Sequence, residues 1–443
     1  MLVLYLLLSI AVIVLLITYL RLHPFLALFI VALLFGFASG MEYQLILKSI
    51  NDGFGGTLGK IGLVIIFGVI IGAFLENSGG AYALAEKIIK WVGKKRVPTA
   101  MGILGYFVSI PVFADSGFIL LSPLNKSLSK KAGISLAGSV VALALGLSIT
   151  HNLIPPTPGP IAAAGILDAD LGLVLVMALP ISIVTLVVAL LFATKFAART
   201  YIDPNPDVSQ ESIALKMKTA PSAFKASLPI VVPIILIMIN SRLKAIAIDE
   251  VAAWQSFLQF LGEPVIALII GMLLAFTLPK KLSKELISTD GWVGKALKDS
   301  ANILLITGAG GIFGKMLQNS GIADVMGAAL SDLNLGFFLP FLIASAIKLA
   351  QGSSTVALIT AASIMLPLMG SLGFETEIEK ALLVISIGSG SMVVTHANDS
   401  FFWVFTQMSG MDVSKGYKLL SLGTLVIGLT SISAVLILSL FVN

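Results

Sequence analysis

The chain has 443 residues, of which 57% are hydrophobic and 12% charged, with a formal net charge of +5, and its mean hydropathy is +1.03. That much apolar surface excludes a soluble globular domain and points to an all-α polytopic membrane protein, with room for about ten to twelve spans at ~20 residues each. The small positive charge is no nucleic-acid signature, and the absence of cysteine excludes disulfides, thiolate metal sites and thiol catalysis.

The first segment, Leu2 to Leu20, is apolar from its start, lacks a basic region and a cleavage motif, and reads as a span. Apolar runs follow at 24–40 and 57–76. Between them Gly53-Phe54-Gly55-Gly56-Thr57-Leu58-Gly59-Lys60 superficially resembles a phosphate loop but lacks the Lys-Ser/Thr ending. Residues 81–95 have mixed polarity and predict an interfacial amphipathic helix. The runs 98–112 and 116–125 are too short to span, and they meet at the polar tip Asp115-Ser116-Gly117, which predicts a re-entrant hairpin over 98–130. The run 134–167 is interrupted by Thr150-His151-Asn152 and Pro155-Pro156-Thr157-Pro158, so it predicts a broken helix, and 171–198 closes the first half. Residues 199–225, with Asp203-Pro204-Asn205-Pro206, Lys216, Lys218 and Lys225, read as a cytoplasmic linker.

In the second half, apolar runs lie at 226–241, 263–279 and 299–318, with 243–260 open between an interfacial helix and an external loop. The arms 335–350 and 354–370 meet at Gln351-Gly352-Ser353-Ser354-Thr355 and predict a second hairpin over 335–371. The run 380–408 breaks at Thr395-His396-Ala397-Asn398-Asp399-Ser400, and 417–441 ends the chain. Lysine placement orients these segments. Lys94, Lys95 and Arg96 precede the first hairpin and Lys126, Lys130 and Lys131 follow it, so both its ends are expected inside. The second hairpin is flanked by 319–334, without Lys or Arg, and by Glu375, Glu377 and Glu379, so its ends are expected outside. Both termini come out external, and each half, 1–198 and 226–443, is expected to hold five crossings, one hairpin and one broken helix. Odd crossing numbers invert the second half relative to the first. A repeat agrees: Leu75-Glu76-Asn77-Ser78-Gly79-Gly80-Ala81 matches Leu317-Gln318-Asn319-Ser320-Gly321-Ile322-Ala323 at five of seven positions. Inverted repeats with discontinuous elements are a secondary-transporter signature.

Non-helical backbone survives at membrane depth only where it is buried in protein or lines a cavity, and ionisable residues there are functional candidates. Tips and breaks present unpaired N–H groups and helix N-termini, which attract anions. The candidate substrate-binding residues are Ser116 and Gly117; Thr150, His151, Asn152 and Thr157; Gln351, Gly352, Ser353, Ser354 and Thr355; and Thr395, His396, Asn398 and Ser400. This inventory suits a small hydroxylated anion, not an apolar drug or a bare cation. Asp115 and Asp399 could carry a proton or cap the following half-helix. His151 and His396 could relay protons, or could be neutral rings satisfied by a carbonyl exposed at the break. Lys348, one helical turn before the second tip, either neutralises a substrate carboxylate or pairs with an acid such as Asp399. His23, beside Arg21, reads as an interfacial residue. No nucleophile–base triad, metal cluster or cofactor motif is evident, so an enzyme is not expected.

Over its whole length the chain resembles the gluconate:proton symporter family of the ion transporter superfamily. The resemblance rests on Phe113-Ala114-Asp115-Ser116-Gly117-Phe118, Thr150-His151 with Pro155-Pro156-Thr157-Pro158-Gly159-Pro160, Ala350-Gln351-Gly352-Ser353-Ser354-Thr355-Val356-Ala357 and His396-Ala397-Asn398-Asp399-Ser400. It implies uptake of a sugar acid with protons at the bacterial inner membrane, by a homodimer whose moving domain holds both hairpins. Many members carry Glu at the position of Asp115 and Arg at that of Lys348, which keeps charge but changes reach. The rival expectations are a sodium-coupled carrier of another small carboxylate or amino acid, a channel or passive exchanger, and an intramembrane hydrolase built on Asp115 and Asp399.

Overall fold

The apolar runs fold as helices, and glycine, proline and short polar caps decide where each one ends. The computed structural model describes every residue except 94–95, 205–219, 246–252, 323–324, 326–334 and 442–443. Lys94, Lys95 and most of the expected linker, including Asn205, Pro206, Lys216 and Lys218, lie outside the described residues, as does most of 319–334. Among the described residues there is no strand.

The first half comprises α1 (Leu2–Thr18), α2 (Pro24–Ala38), α3 (Tyr43–Asn77), α4 (Gly80–Val92), α5 (Val97–Val108), α6 (Ala114–Ala132), α7 (Leu136–Leu153), α8 (Pro158–Leu167) and α9 (Leu171–Leu191). The second holds α10 (Ala223–Ala245), α11 (Ala253–Gly262), α12 (Pro264–Ala275), α13 (Trp292–Asn319), α14 (Phe338–Gln351), α15 (Ser354–Met365), α16 (Glu377–Ser391), α17 (Ser400–Ser409) and α18 (Leu422–Ser439). Among the described residues six stretches are long and apolar enough to cross a membrane, and the bent α11–α12 pair would be a seventh. Helices α1, α2, α5, α14 and α15 are apolar but shorter.

The run 263–279 begins at a bend and is helical over Pro264–Ala275. Pro264 has no N–H to continue α11 and instead opens α12, which is bent from α11 by 68°. The ambiguous stretch 243–260 is helical from Ala253. The glycine-rich 53–60 segment lies inside continuous helix α3, so it forms no loop.

The centre of the bundle is the α7–α8 unit, almost wholly buried. Along one side α3 and α13 pack antiparallel. Ser49 meets Asn319 through a 2.8 Å hydrogen bond, Gly53 faces the backbone of Gly311 and Ile312, and Phe74 meets Trp292 edge-on at 5.1 Å. Both helices end in the repeated Asn-Ser-Gly, with Gly79 (φ 81°) and Gly321 (φ 74°) in the left-handed region that glycine enters without a Cβ penalty. Helix α2 covers α13 through Phe35 and Phe313, whose rings are 6.5 Å apart.

The α3–α13 crossing generates a prediction. A side chain on Gly53 would strike α13 backbone, whereas Cβ positions on Gly55 and Gly59 meet nothing within 4 Å. Gly53→Leu is expected to destabilise the purified protein by about 1–3 kcal/mol through overpacking. Gly55→Ala and Gly59→Ala should be neutral or stabilising by up to ~1 kcal/mol. Thermal unfolding in detergent checks this ranking.

Candidate functional site

The four interrupted elements converge on one cavity of about 730 Å³. The first tip contributes Phe113, Asp115 and Ser116, and the first break contributes Ser148, His151 and Asn152. The second tip contributes Gln351 through Val356, and the second break contributes Thr395, Asn398, Asp399 and Ser400. Three helix N-termini therefore open onto the space, those of α6, α15 and α17. Their unpaired amides give it a positive bias toward anions without a mobile cation.

Each break satisfies its own backbone. Thr157 caps α8 and donates its hydroxyl to Ile154 O at 2.5 Å. Ser353 caps α15, accepting from Val356 N at 3.4 Å, and the Gln351 side chain folds back onto Ser353, donating to its carbonyl and accepting from its N–H. Gly352 has φ 90°, and a Cβ there would collide with the Asn398 carbonyl. His396 Nε2 and Asn398 Nδ2 both donate to Leu349 O, each at 2.9 Å, and Thr18 donates to Ala350 O at 2.9 Å. The two halves meet at the breaks themselves. Ser391 donates to Asn152 Oδ1 at 3.0 Å, and Ser400 donates to Asp115 Oδ2 at 3.1 Å.

The charged groups differ in how they are held. Lys348 is 1% exposed and donates to Asp399 Oδ2 and to Gly352 O. Asp399 Oδ1 also accepts from Phe401 N at 2.9 Å, so this acid is both ion-pair partner and helix cap. Asp115 lines the cavity in the first turn of α6, has Ser400 as its partner, and has no cation at ion-pair distance among the described residues. His151 also lines the cavity, with a buried Nδ1 that has no hydrogen-bond partner. Among the described residues there is no cluster of three or more His, Asp or Glu that could hold a metal.

Most of the sequence candidates therefore line one cavity. Gly117, Thr150, Thr157, Lys348 and His396 do not. Gly117 faces Leu147 in the α6–α7 contact, Thr150 bonds back to Gly146 O within α7, Thr157 bonds Ile154 O at the break, and His396 is engaged by Leu349 O. Lys348 sits beneath the second tip, paired with Asp399 and not available to the cavity. A further wall comes from α13, as Lys298, Asp299, Asn302, Ile303 and Ile306. Sequence reasoning passed over these residues because charged and polar side chains near a span's end look interfacial. His23, also read as interfacial, hydrogen-bonds Asn302 at 2.7 Å.

Comparison with known proteins follows from this geometry. The family model described as GntP family permease matches residues 1–441. A permease of Haemophilus influenzae, described as uncharacterized, is 37% identical over 99% of this chain and 92% of its own length. A gluconate permease of Pseudomonas aeruginosa is 33% identical over 96% of this chain and 95% of its own. Among solved structures, the YdaH transporter of Alcanivorax borkumensis superposes with a TM-score of 0.63 at 16% identity, covering 90% of this chain and 89% of that one; this likeness bears on the fold.

The buried pair sets a test of the site's architecture. Removing Lys348 strands the Asp399 carboxylate, so Lys348→Met should cost about 3–5 kcal/mol. The double variant Lys348→Met/Asp399→Asn should recover most of that loss. Thermal unfolding of the three proteins in detergent reads the difference.

Proposed function

The chain belongs to the GntP permease family, a family of multi-pass membrane transporters and not of enzymes, and we propose that it takes up a small sugar acid such as gluconate by proton symport, through alternating access, across the bacterial inner membrane. The observation that carries this reading is the unequal treatment of the two acids that the tips and breaks bring to the cavity. Asp399 is neutralised by Lys348, while Asp115 faces the cavity with a serine as its partner. A monoanion bound about 4 Å from an ionised Asp115 would be repelled by about 4 kcal/mol at an effective dielectric of 20. Protonation of Asp115 removes that repulsion and adds a hydrogen-bond donor. Substrate and proton therefore load together, and Asp115, not Asp399, is the coupling acid.

The rest of the reading follows. The N-terminal amides of α6, α15 and α17 hold the carboxylate. His151, Ser116 and Thr355 read hydroxyls. One proton per monoanion is electroneutral, so ΔpH drives uptake. The antiparallel α3–α13 pair with matched Asn-Ser-Gly ends supports an inverted repeat of 1–198 and 226–443, each with its hairpin and broken helix. Lys298 and Asp299 lie near the end of α13 that the lysine distribution assigns to the cytoplasm, so the cavity represents an inward-open state. At the other end, α8 packs on α3, with Gly165 against Ile61 and Lys60 within 2.5 Å of Asp168. External termini, from the lysine distribution, and a homodimer, from the family resemblance, complete the proposal.

The test is accumulation of labelled gluconate in proteoliposomes under an acid-outside gradient without sodium. Accumulation should collapse on addition of a protonophore. Asp115→Asn should lose gradient-driven accumulation at least tenfold while still exchanging labelled for unlabelled gluconate. Uptake that needs sodium would sink the coupling assignment, and uptake of a smaller acid in preference to gluconate would replace the substrate.

A further inference from the structure

From the α13 wall we infer that Asn302 is a substrate-binding residue and that His23 is the positioning residue that aims it, an assignment that rests on the sugar-acid reading above. His23 caps α2, with Nδ1 accepting from Phe25 N–H at 3.2 Å. A ring nitrogen that accepts a hydrogen bond carries no proton, so the neutral ring holds its proton on Nε2. That Nε2–H lies 2.7 Å from Asn302 Oδ1 and donates to it. The amide oxygen is thereby committed, and the orientation of the amide is set by the network. Both Nδ2 hydrogens remain, and no protein acceptor takes them among the described residues. Asn302 lines the cavity, so its amide offers two donors to an oxygen of a bound hydroxycarboxylate.

The position gives these donors a distinct task. The neighbouring cavity residues on α13, Ile303 and Ile306, are apolar, and Lys298 and Asp299 stand a turn nearer the end of the helix. Asn302 is the amide on a wall that none of the tips or breaks supplies. It contacts the part of the substrate that those four elements leave uncovered. His23 can hold the amide still because α2 is itself fixed, by Pro24 in its first turn and by Phe35 and Gly36 packed on Phe313 and Met316 of α13.

The experiment is a double-mutant cycle on full-length protein in proteoliposomes, with gluconate as probe and both transport kinetics and binding as readouts. Asn302→Leu keeps the side chain's size and removes the donors; it should raise KM and the binding constant at least tenfold with little change in kcat. His23→Phe should raise KM about fivefold, and His23→Gln, which keeps a donor, should largely restore it. In the Asn302→Leu background, His23→Phe should add nothing, since a positioning residue acts only through the group it positions. Additive effects of the two substitutions, or a loss of folded protein with KM unchanged, would overturn the assignment. Wild-type binding of gluconate without proton-driven uptake would sink the coupling reading and leave the Asn302 comparison intact in the binding data. No wild-type gluconate binding would overturn both.

Discussion

The ion pair between Lys348 and Asp399 is the contact on which the cavity depends. Its partners come from elements that approach from different parts of the chain, the last turn of α14 and the cap of α17. Desolvating two charges is costly, and the pair is tolerable because its remaining bonding capacity is used: the ammonium reaches Gly352 O and the carboxylate caps Phe401 N. The same pair fixes the second tip. Gly352 adopts its positive φ against the Asn398 carbonyl, an approach open only to a residue without Cβ. Being internally neutral, the pair leaves Asp115, bonded to Ser400, as the acid at the tips and breaks without a cation partner among the described residues.

The breaks illustrate how a chain can leave the helix in a low-dielectric setting. Every interruption frees carbonyls and amides that lipid cannot satisfy. Here the freed groups are taken up within each half, by Thr157 in the first and by Gln351, Ser353, His396 and Asn398 in the second, while Ser391 and Ser400 join the halves through the side chains of Asn152 and Asp115. The residues that looked like ligands thus divide into those that hold backbone and those left facing the cavity. Phe118, packed on Phe401 and Phe405, keeps α6 and α17 side by side so that two N-termini open onto the same space.

The legible part of the site was the part where local sequence breaks a rule. Asp115-Ser116, His151-Asn152, Gln351 to Thr355 and Asn398 to Ser400 are each polar interruptions of an apolar run, and they line one cavity. The α13 wall was not legible, because Asn302 breaks no helical rule and Lys298 and Asp299 suit a membrane edge. Only the tertiary packing of α13 against α2 and α3 turns that face inward. For Lys348 the sequence left a substrate carboxylate and an acid such as Asp399 both open, and the structure pairs it with Asp399 and leaves Asp115 with Ser400. Both are acids at a helix start, and which one meets Lys348 is decided by the fold, not by spacing. The bend at Pro264 falls where the apolar run begins, and proline chemistry marks it.

The contact between α8 and α3 has a consequence of its own. Lys60 and Asp168 are 54% and 71% exposed, so their pair is worth no more than about 1 kcal/mol and weakens as ions screen it. The closer contact is steric. Gly165 of α8 lies flat on Ile61 of α3, and a single methyl group there would overlap the isoleucine. That fit is hydrocarbon against backbone and depends on one glycine, so a change in the saltiness of the surrounding medium leaves it intact.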